Sequence, residues 1–208
     1  MSHLKRHAAP TTWTVNRKET SFMTSMNPGP HKKEHAMPLS IWMRTLGAAS
    51  TAREVKKVLG EVTVDGRKVN HVRFPVGFQD ILTIGKESYQ ITFKQGKLEA
   101  EKTTAKEKTA SIKGKTKIKG KTQLNMSDGR NILVEKDEYK VGDSLVLSVP
   151  DQKIVKHVKL APGVKIVLIG GKHAGTEGVM KEIKGNTITY EAGGKAETTL
   201  KKYAYALA

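Results

Sequence analysis

The stretch Ser50-Thr51-Ala52-Arg53-Glu54-Val55-Lys56-Lys57-Val58-Leu59-Gly60-Glu61-Val62-Thr63-Val64-Asp65-Gly66-Arg67-Lys68 changes its periodicity at Gly60. Thr51 and Glu54 have the spacing of a helix capping box. Ala52, Val55, Val58 and Leu59 then share one helical face, and Arg53, Lys56 and Lys57 share the opposite one. Three like charges on one face commonly form a solvated surface, but they repel one another unless an anion neutralises them. Past Gly60 the chain alternates through Val62-Thr63-Val64 into Asp65-Gly66, a hairpin signal. Arg67 and Lys68 stand just beyond its tip.

Upstream, Pro38 suits a first helical turn, Leu39, Trp42, Met43 and Leu46 recur at helical spacing, and Gly47 ends the element. Downstream come the turn Phe74-Pro75-Val76-Gly77 and the strand Asp80-Ile81-Leu82-Thr83-Ile84. Residues 38–85 therefore read as a module of two helices and a hairpin. Residues 1–37 show no periodicity. They mix Pro10, Pro28 and Pro30 with basic residues, Trp13 and Phe22, as expected of a basic tail that is disordered alone and orders on nucleic acid.

Residues 86–160 read as a central β domain. Residues 102–121 hold eight Lys and one Glu, and Lys113, Lys115, Lys117, Lys119 and Lys121 fall at every second position. In one strand they would share a face. Such a face suits a phosphate backbone or, equally, an edge protected from aggregation. A second Asp-Gly hairpin is expected at Asp128-Gly129-Arg130. Residues 161–208 read as a small β-barrel: Val164, Ile166 and Leu168 alternate, and glycine corners separate the strands that follow.

The charge agrees with a polyanionic partner. Lys and Arg number 37 against 20 Asp and Glu, a net +17 over 208 residues. The charge is spread over every module rather than gathered in one tail. Released counterions drive such chains onto phosphate backbones. With Cys at 0, thiolate metal sites and thiol catalysis are excluded. The N-terminal residues lack the apolar core of a signal peptide and no apolar run is long enough to span a membrane, so a cytoplasmic protein is expected.

Catalytic patterns fail on inspection. Gly114-Lys115-Thr116 and Gly120-Lys121-Thr122 end like phosphate loops, but positions 109 and 115 are Thr and Lys where the motif needs Gly. His31-Lys32-Lys33-Glu34-His35 has an inverted zinc-protease spacing but sits between prolines without a third ligand. No catalytic residue, metal ligand, cofactor or small-molecule substrate is expected.

Several stretches together resemble one family. Residues 38–70, with Ser50 to Lys57 and the hairpin from Gly60 to Gly66, look like the S-four-like RNA-binding module. Residues 163–180 look like a KOW motif, with Gly175 and Gly178 as its glycines. His3-Leu4-Lys5-Arg6-His7-Ala8-Ala9-Pro10 with Trp13, then Pro28-Gly29-Pro30-His31, Phe74-Pro75-Val76-Gly77, Asp128-Gly129-Arg130-Asn131 and Gly170-Gly171-Lys172-His173-Ala174-Gly175 are similar to the archaeal and eukaryotic small-subunit ribosomal protein S-four-e family, in the right order over nearly the whole chain. The stretch 53–60 is shorter than usual for that family. The chain also stops soon after the KOW residues, which suggests an archaeal source.

The resemblance implies a multi-domain α+β protein. Its parts are an N-terminal tail (1–37), an S-four-like module (38–85), a central β domain (86–160) and an SH3-like KOW barrel (161–208). It implies a structural constituent of the small ribosomal subunit, with small-subunit rRNA and neighbouring ribosomal proteins as partners and no enzymatic activity. The RNA-contacting residues it implies are His3, Lys5, Arg6, His7, Trp13, Arg17, Lys18, His31 and Lys32 in the tail, and Arg53, Lys56, Lys57, Arg67, Lys68 and Arg73 in the S-four-like module. Lys113, Lys115, Lys117, Lys119, Lys121 and Arg130 follow in the centre, and Lys172 and His173 in the KOW loop. That loop is otherwise a plain barrel corner. Competing readings are a KOW-bearing translation or transcription factor and an accessory protein of RNA modification.

Overall fold

Thr51 and Glu54 close the capping box that the sequence spells: the Glu54 amide donates to Thr51 Oγ1, and the Thr51 amide donates to Glu54 Oε2. This local geometry starts a helix in a computed structural model that describes residues 3–135 and 137–207. The chain is mostly β with few helices and several sheets. It divides into two compact units, Met1–Thr92 with Lys97–Lys106, and Phe93–Gly96 with Glu107–Ala208.

The first unit begins with β1 (His3–Lys5) and β2 (Phe22–Thr24), which pair antiparallel. β3 (Ala36–Pro38) leads directly into α1 (Leu39–Thr45), and α2 (Ala52–Val58) follows. Pro38 is the N-cap of α1, and Gly47 takes a φ of 74° beyond its end. β4 (Val62–Val64) and β5 (Arg67–Lys68) form the first hairpin, with Asp65 and Gly66 at φ of 50° and 71° between them. Two left-handed residues match the twist of flanking strands, which is why Asp-Gly is favoured there. β6 (Pro75–Gly77) pairs with β3, and β7 (Ile81–Ile84), β8 (Glu87–Lys94) and β9 (Lys97–Lys102) extend the hairpin into a sheet of order β5-β4-β7-β8-β9. Trp42 and Val55 are buried on the inner sides of their helices, and Trp42 Nε1 donates to the Val76 carbonyl at 3.0 Å. Ala52, expected on the apolar face of α2, is exposed.

Residues 3–37 are packed in this structure rather than laid out as an aperiodic tail. Trp13 is 2% exposed, its Nε1 donates to the Lys33 carbonyl at 3.0 Å, and the Leu98 amide donates to the Thr12 carbonyl at 2.8 Å. Irregular backbone and side-chain hydrogen bonds hold the segment, so no hydrophobic period is written into it.

The second unit holds two further sheets. β10 (Glu107–Ile118), β11 (Lys121–Met126), β12 (Asn131–Val134), β13 (Ser144–Ser148) and β14 (Ile154–Val158) lie in the order β12-β11-β10-β13-β14. β15 (Lys165–Leu168), β16 (Glu177–Lys184), β17 (Thr187–Ala192), β18 (Lys195–Leu200) and β19 (Ala204–Ala206) lie in the order β18-β17-β16-β15-β19. Each sheet has its own buried cluster, around Leu124 and Leu145 in one and around Met180 and Tyr190 in the other. A third cluster of Val146, Val158 and Ala206 draws on both.

The expected lysine row is divided by two backbone features. β10 is bulged: Ile112 opposes Met126 and Gly114 opposes Asn125, so Lys113 is the extra residue. Lys119 and Gly120 form the tight turn to β11, with φ of 47° and 80°. Lys115 and Lys117 oppose Leu124 and Thr122, with Lys115 half-buried and Lys117 exposed, whereas Lys121 opposes Ile118 on the other face.

Candidate nucleic-acid interface

The helix α2 carries its charge outward. Arg53, Lys56 and Lys57 are exposed, and none forms an ion pair with a described residue. The carboxylate best placed to neutralise them, Glu54, is turned to the start of the helix. Its Oε2 accepts from the Ser50 amide at 2.7 Å and the Thr51 amide at 3.3 Å. The hydrogen bond from Ser50, followed by those from Thr51, holds the Glu54 pKa below the ordinary value, so it remains a capping anion. Lys56 and Lys57 also lie in the last turn, where the helix dipole favours cations. Arg67 and Lys68 on β5 are likewise exposed and without an ion pair among the described residues. This set offers point charges to phosphate oxygens without first breaking an internal bond.

The N-terminal candidates split. Lys5, His7, Lys18 and Lys32 are exposed and unpaired among the described residues. Arg6 is 9% exposed, and its Nη1 donates to the Asn16 carbonyl at 2.6 Å and to Glu19 at 2.9 Å. Arg17 Nη2 donates to the Ala9 carbonyl at 2.8 Å, and Arg73 Nε donates to the Ser25 carbonyl at 3.2 Å. The His31 ring sits 2.8 Å from Asp80, with both side chains buried. A Cβ at Gly77 would lie 2.5 Å from the His31 ring, so that glycine makes room for the pair. His3 meets Phe22 edge-on at 5.0 Å.

In the second unit, Lys117 and Lys119 are exposed and unpaired among the described residues, and Lys113 is exposed. Lys115 pairs with Asp137, and Lys121 pairs with Glu135 at 3.1 Å. Arg130 Nε lies 3.2 Å from Asp128, which also meets the buried Lys108 at 3.0 Å. Lys108, one of the eight lysines in the basic stretch, thus belongs to the interior; nothing local in the sequence marks it.

Lys172 is exposed and unpaired among the described residues, and His173 Nδ1 lies 3.6 Å from Glu197. The same carboxylate accepts from Tyr190 Oη at 2.5 Å. Burial, then that hydrogen bond, raises the Tyr190 pKa to about 12. Gly175 has a φ of 82°, and a Cβ there would stand 2.8 Å from the backbone nitrogens of Gln95 and Gly96. Gly175 is therefore required by close packing against its own chain.

Residues 86–154 match the family model described as Ribosomal family S4e, and residues 2–34 match the RS4NT (NUC023) domain. The chain is similar to the small ribosomal subunit protein eS4 of Methanococcus vannielii, 38% identical over 98% of this chain and 92% of that protein. The eS4 of Methanosphaera stadtmanae is 39% identical over 98% and 90%. The crystal structure of the 30S ribosomal protein S4e from Thermoplasma acidophilum superposes with a TM-score of 0.74 at 30% identity, covering 84% of this chain and 95% of that one.

Proposed function

The chain belongs to ribosomal family S4e, and on that premise we propose that it is a structural constituent of the small ribosomal subunit that binds and stabilises rRNA. It works in the cytoplasmic ribosome, in contact with small-subunit rRNA and neighbouring ribosomal proteins, and it has no catalytic role. The observation that carries this reading is the set of exposed cations on α2 and β5 that have no ion pair among the described residues, with Glu54 drawn away to the cap. RNA duplexes are recognised largely by shape and backbone contacts, which such a set supplies.

The parts divide the work. Residues 38–85 act as the S-four-like docking module, 86–160 as a β scaffold, and 161–208 as a KOW barrel with Lys172 and His173 at its loop. Lys5, His7, Lys18 and Lys32 in the segment 1–37 reach further phosphates, while Arg6, Trp13 and His31 fix that segment's shape. Lys113, Lys117 and Lys119 are the contacts of the central domain.

Sedimentation of native lysate tests the reading. The protein is expected to travel with small-subunit rRNA at physiological salt. A protein found on RNA outside the subunit would be a reversible factor, and one free of RNA would overturn the proposal.

A further inference from the structure

A cleft of about 320 Å³ opens in the first unit, bordered by Arg6, Asn16 and Glu19 of the N-terminal segment, by Met23 of β2, and by Arg44 and Thr45 at the end of α1. It falls at the lower end of the roughly 300–1,000 Å³ typical of small-ligand sites. That is room for one flat ring with its sugar, and far too little for a double helix.

The charges around it are unequal. Glu19 is already satisfied: Arg6 Nη1 reaches Oε2 at 2.9 Å, and Asn16 Nδ2 donates to Oε1 at 2.7 Å. Arg44 is exposed and forms no ion pair among the described residues, so it is the uncompensated cation at the rim. Arg6 is buried, and its Nη1, held by the Asn16 carbonyl and Glu19, fixes the back wall of the cleft. Thr45 adds a hydroxyl, and Met23 an adaptable apolar surface of the kind that packs against rings.

An anion-binding rim, hydrogen-bonding groups behind it and a thioether beside them describe the chemistry of a nucleotide. We propose that this cleft receives one unstacked nucleotide of the bound RNA strand, with its phosphate on Arg44 and its base edge toward Asn16 and Glu19. The inference rests on the RNA-binding reading above and adds to it a single-stranded component. Splayed bases are the usual target of specific RNA recognition, because a paired base hides its edge.

The test uses the full chain and three probes: a short unstructured RNA oligonucleotide, an RNA duplex of the same length, and AMP. Arg44→Gln, an exposed change, and Thr45→Trp, which fills the cleft from its rim, are each expected to weaken oligonucleotide binding about tenfold while duplex binding stays within about twofold, since one charge-assisted contact is worth roughly that factor. Replacing Arg53, Lys56 and Lys57 by Ala should weaken both RNAs. Oligonucleotide affinity at the parent's level in both variants overturns the cleft assignment while leaving RNA binding intact. So does loss in Arg44→Gln alone, which would place the contact on the surface, and so does an equal loss for oligonucleotide and duplex. AMP binding tighter than the oligonucleotide replaces a strand by a free nucleotide. A parent protein that binds neither RNA overturns this proposal and the RNA-binding reading together.

Discussion

Arg6 and Arg53 belong to the same compact unit and carry the same charge, but the fold treats them differently. Arg6 is 9% exposed and tied to Asn16 and Glu19, whereas Arg53 stands on α2 with Lys56 and Lys57, exposed and unpaired among the described residues. The N-terminal segment shows the same inward turn in Trp13 and His31. Sequence composition sets the total charge, but internal partners decide how much of it reaches a ligand. A buried basic residue tied to an internal carbonyl and a carboxylate holds the protein together; one left open is available to phosphate.

The strongest way to break this contrast is Trp13→Ala. With the ring buried and its Nε1 hydrogen-bonded, the change should lower stability by about 3–5 kcal/mol in urea unfolding. A loss within about 0.5 kcal/mol would make Trp13 a surface platform and void the distinction. On the other side, changing Arg53, Lys56 and Lys57 to Ala should cost about 0.5 kcal/mol or less at each position. It should weaken binding and flatten the logarithmic salt dependence by about two units or somewhat more, as three lost phosphate contacts require. Filter binding across a salt series measures this, and unaltered affinity at moderate salt would defeat the assignment.

Features written in short-range signals were legible beforehand. The capping box at Thr51 and Glu54 and the Asp65-Gly66 turn depend on neighbours within a few residues, and both stand where the sequence puts them. The lysine row was not legible, because one extra residue at Lys113 and a turn at Lys119-Gly120 reset an alternation that continues in the letters. The burial of Trp13 is hidden for another reason: its partners, the carbonyl of Lys33 and the neighbourhood of Leu98, lie far along the chain and leave no period. The sequence marks Gly175 as a loop glycine, but its close approach to Gln95 and Gly96 is a tertiary fact. The same holds for Arg44, whose place beside the cleft depends on where residues 6–24 fold back.

The inward and outward distinction extends to acids, where pH sharpens it. Burial pushes the Asp143 pKa up, but the Leu160 amide, His157 and the Lys140 amide together outweigh burial and hold it below its ordinary value. A carboxyl depressed on folding contributes stability that is fully present above its unfolded pKa, about 4, and is lost as pH falls through the folded value. Asp143→Asn should therefore flatten the acid limb of the stability profile below about pH 4. Tyr190 works in the opposite direction: its stabilisation is present below about pH 10 and lost as pH rises from there toward about 12, and Tyr190→Phe should remove that alkaline limb. Urea unfolding at a series of pH values checks both, and an acid limb in Asp143→Asn as steep as the parent's would count against the carboxylate's role.

The finest comparison pits Lys172 against Lys115 in the second unit. Lys172 is exposed and unpaired among the described residues, while Lys115 is paired with Asp137. A lysine that must leave a carboxylate before meeting phosphate releases fewer counterions on balance, because its own charge is already compensated. Lys172→Ala should make the salt dependence shallower by somewhat less than one unit, the share of one phosphate contact. Lys115→Ala should change it less and affect stability only slightly, as partly exposed ion pairs contribute little. Gly175→Val is the control for the loop itself: a positive φ and backbone nitrogens 2.8 Å from the added Cβ make it harmful whether or not RNA touches the loop. A Lys172→Ala protein that folds normally and keeps the parent's affinity and slope would reduce the loop to a corner packed on its own chain. Equal slope changes for Lys172 and Lys115 would instead show that pairing with a carboxylate does not withhold a lysine from RNA, and the contrast drawn from Arg6 and Arg53 would lose its physical basis.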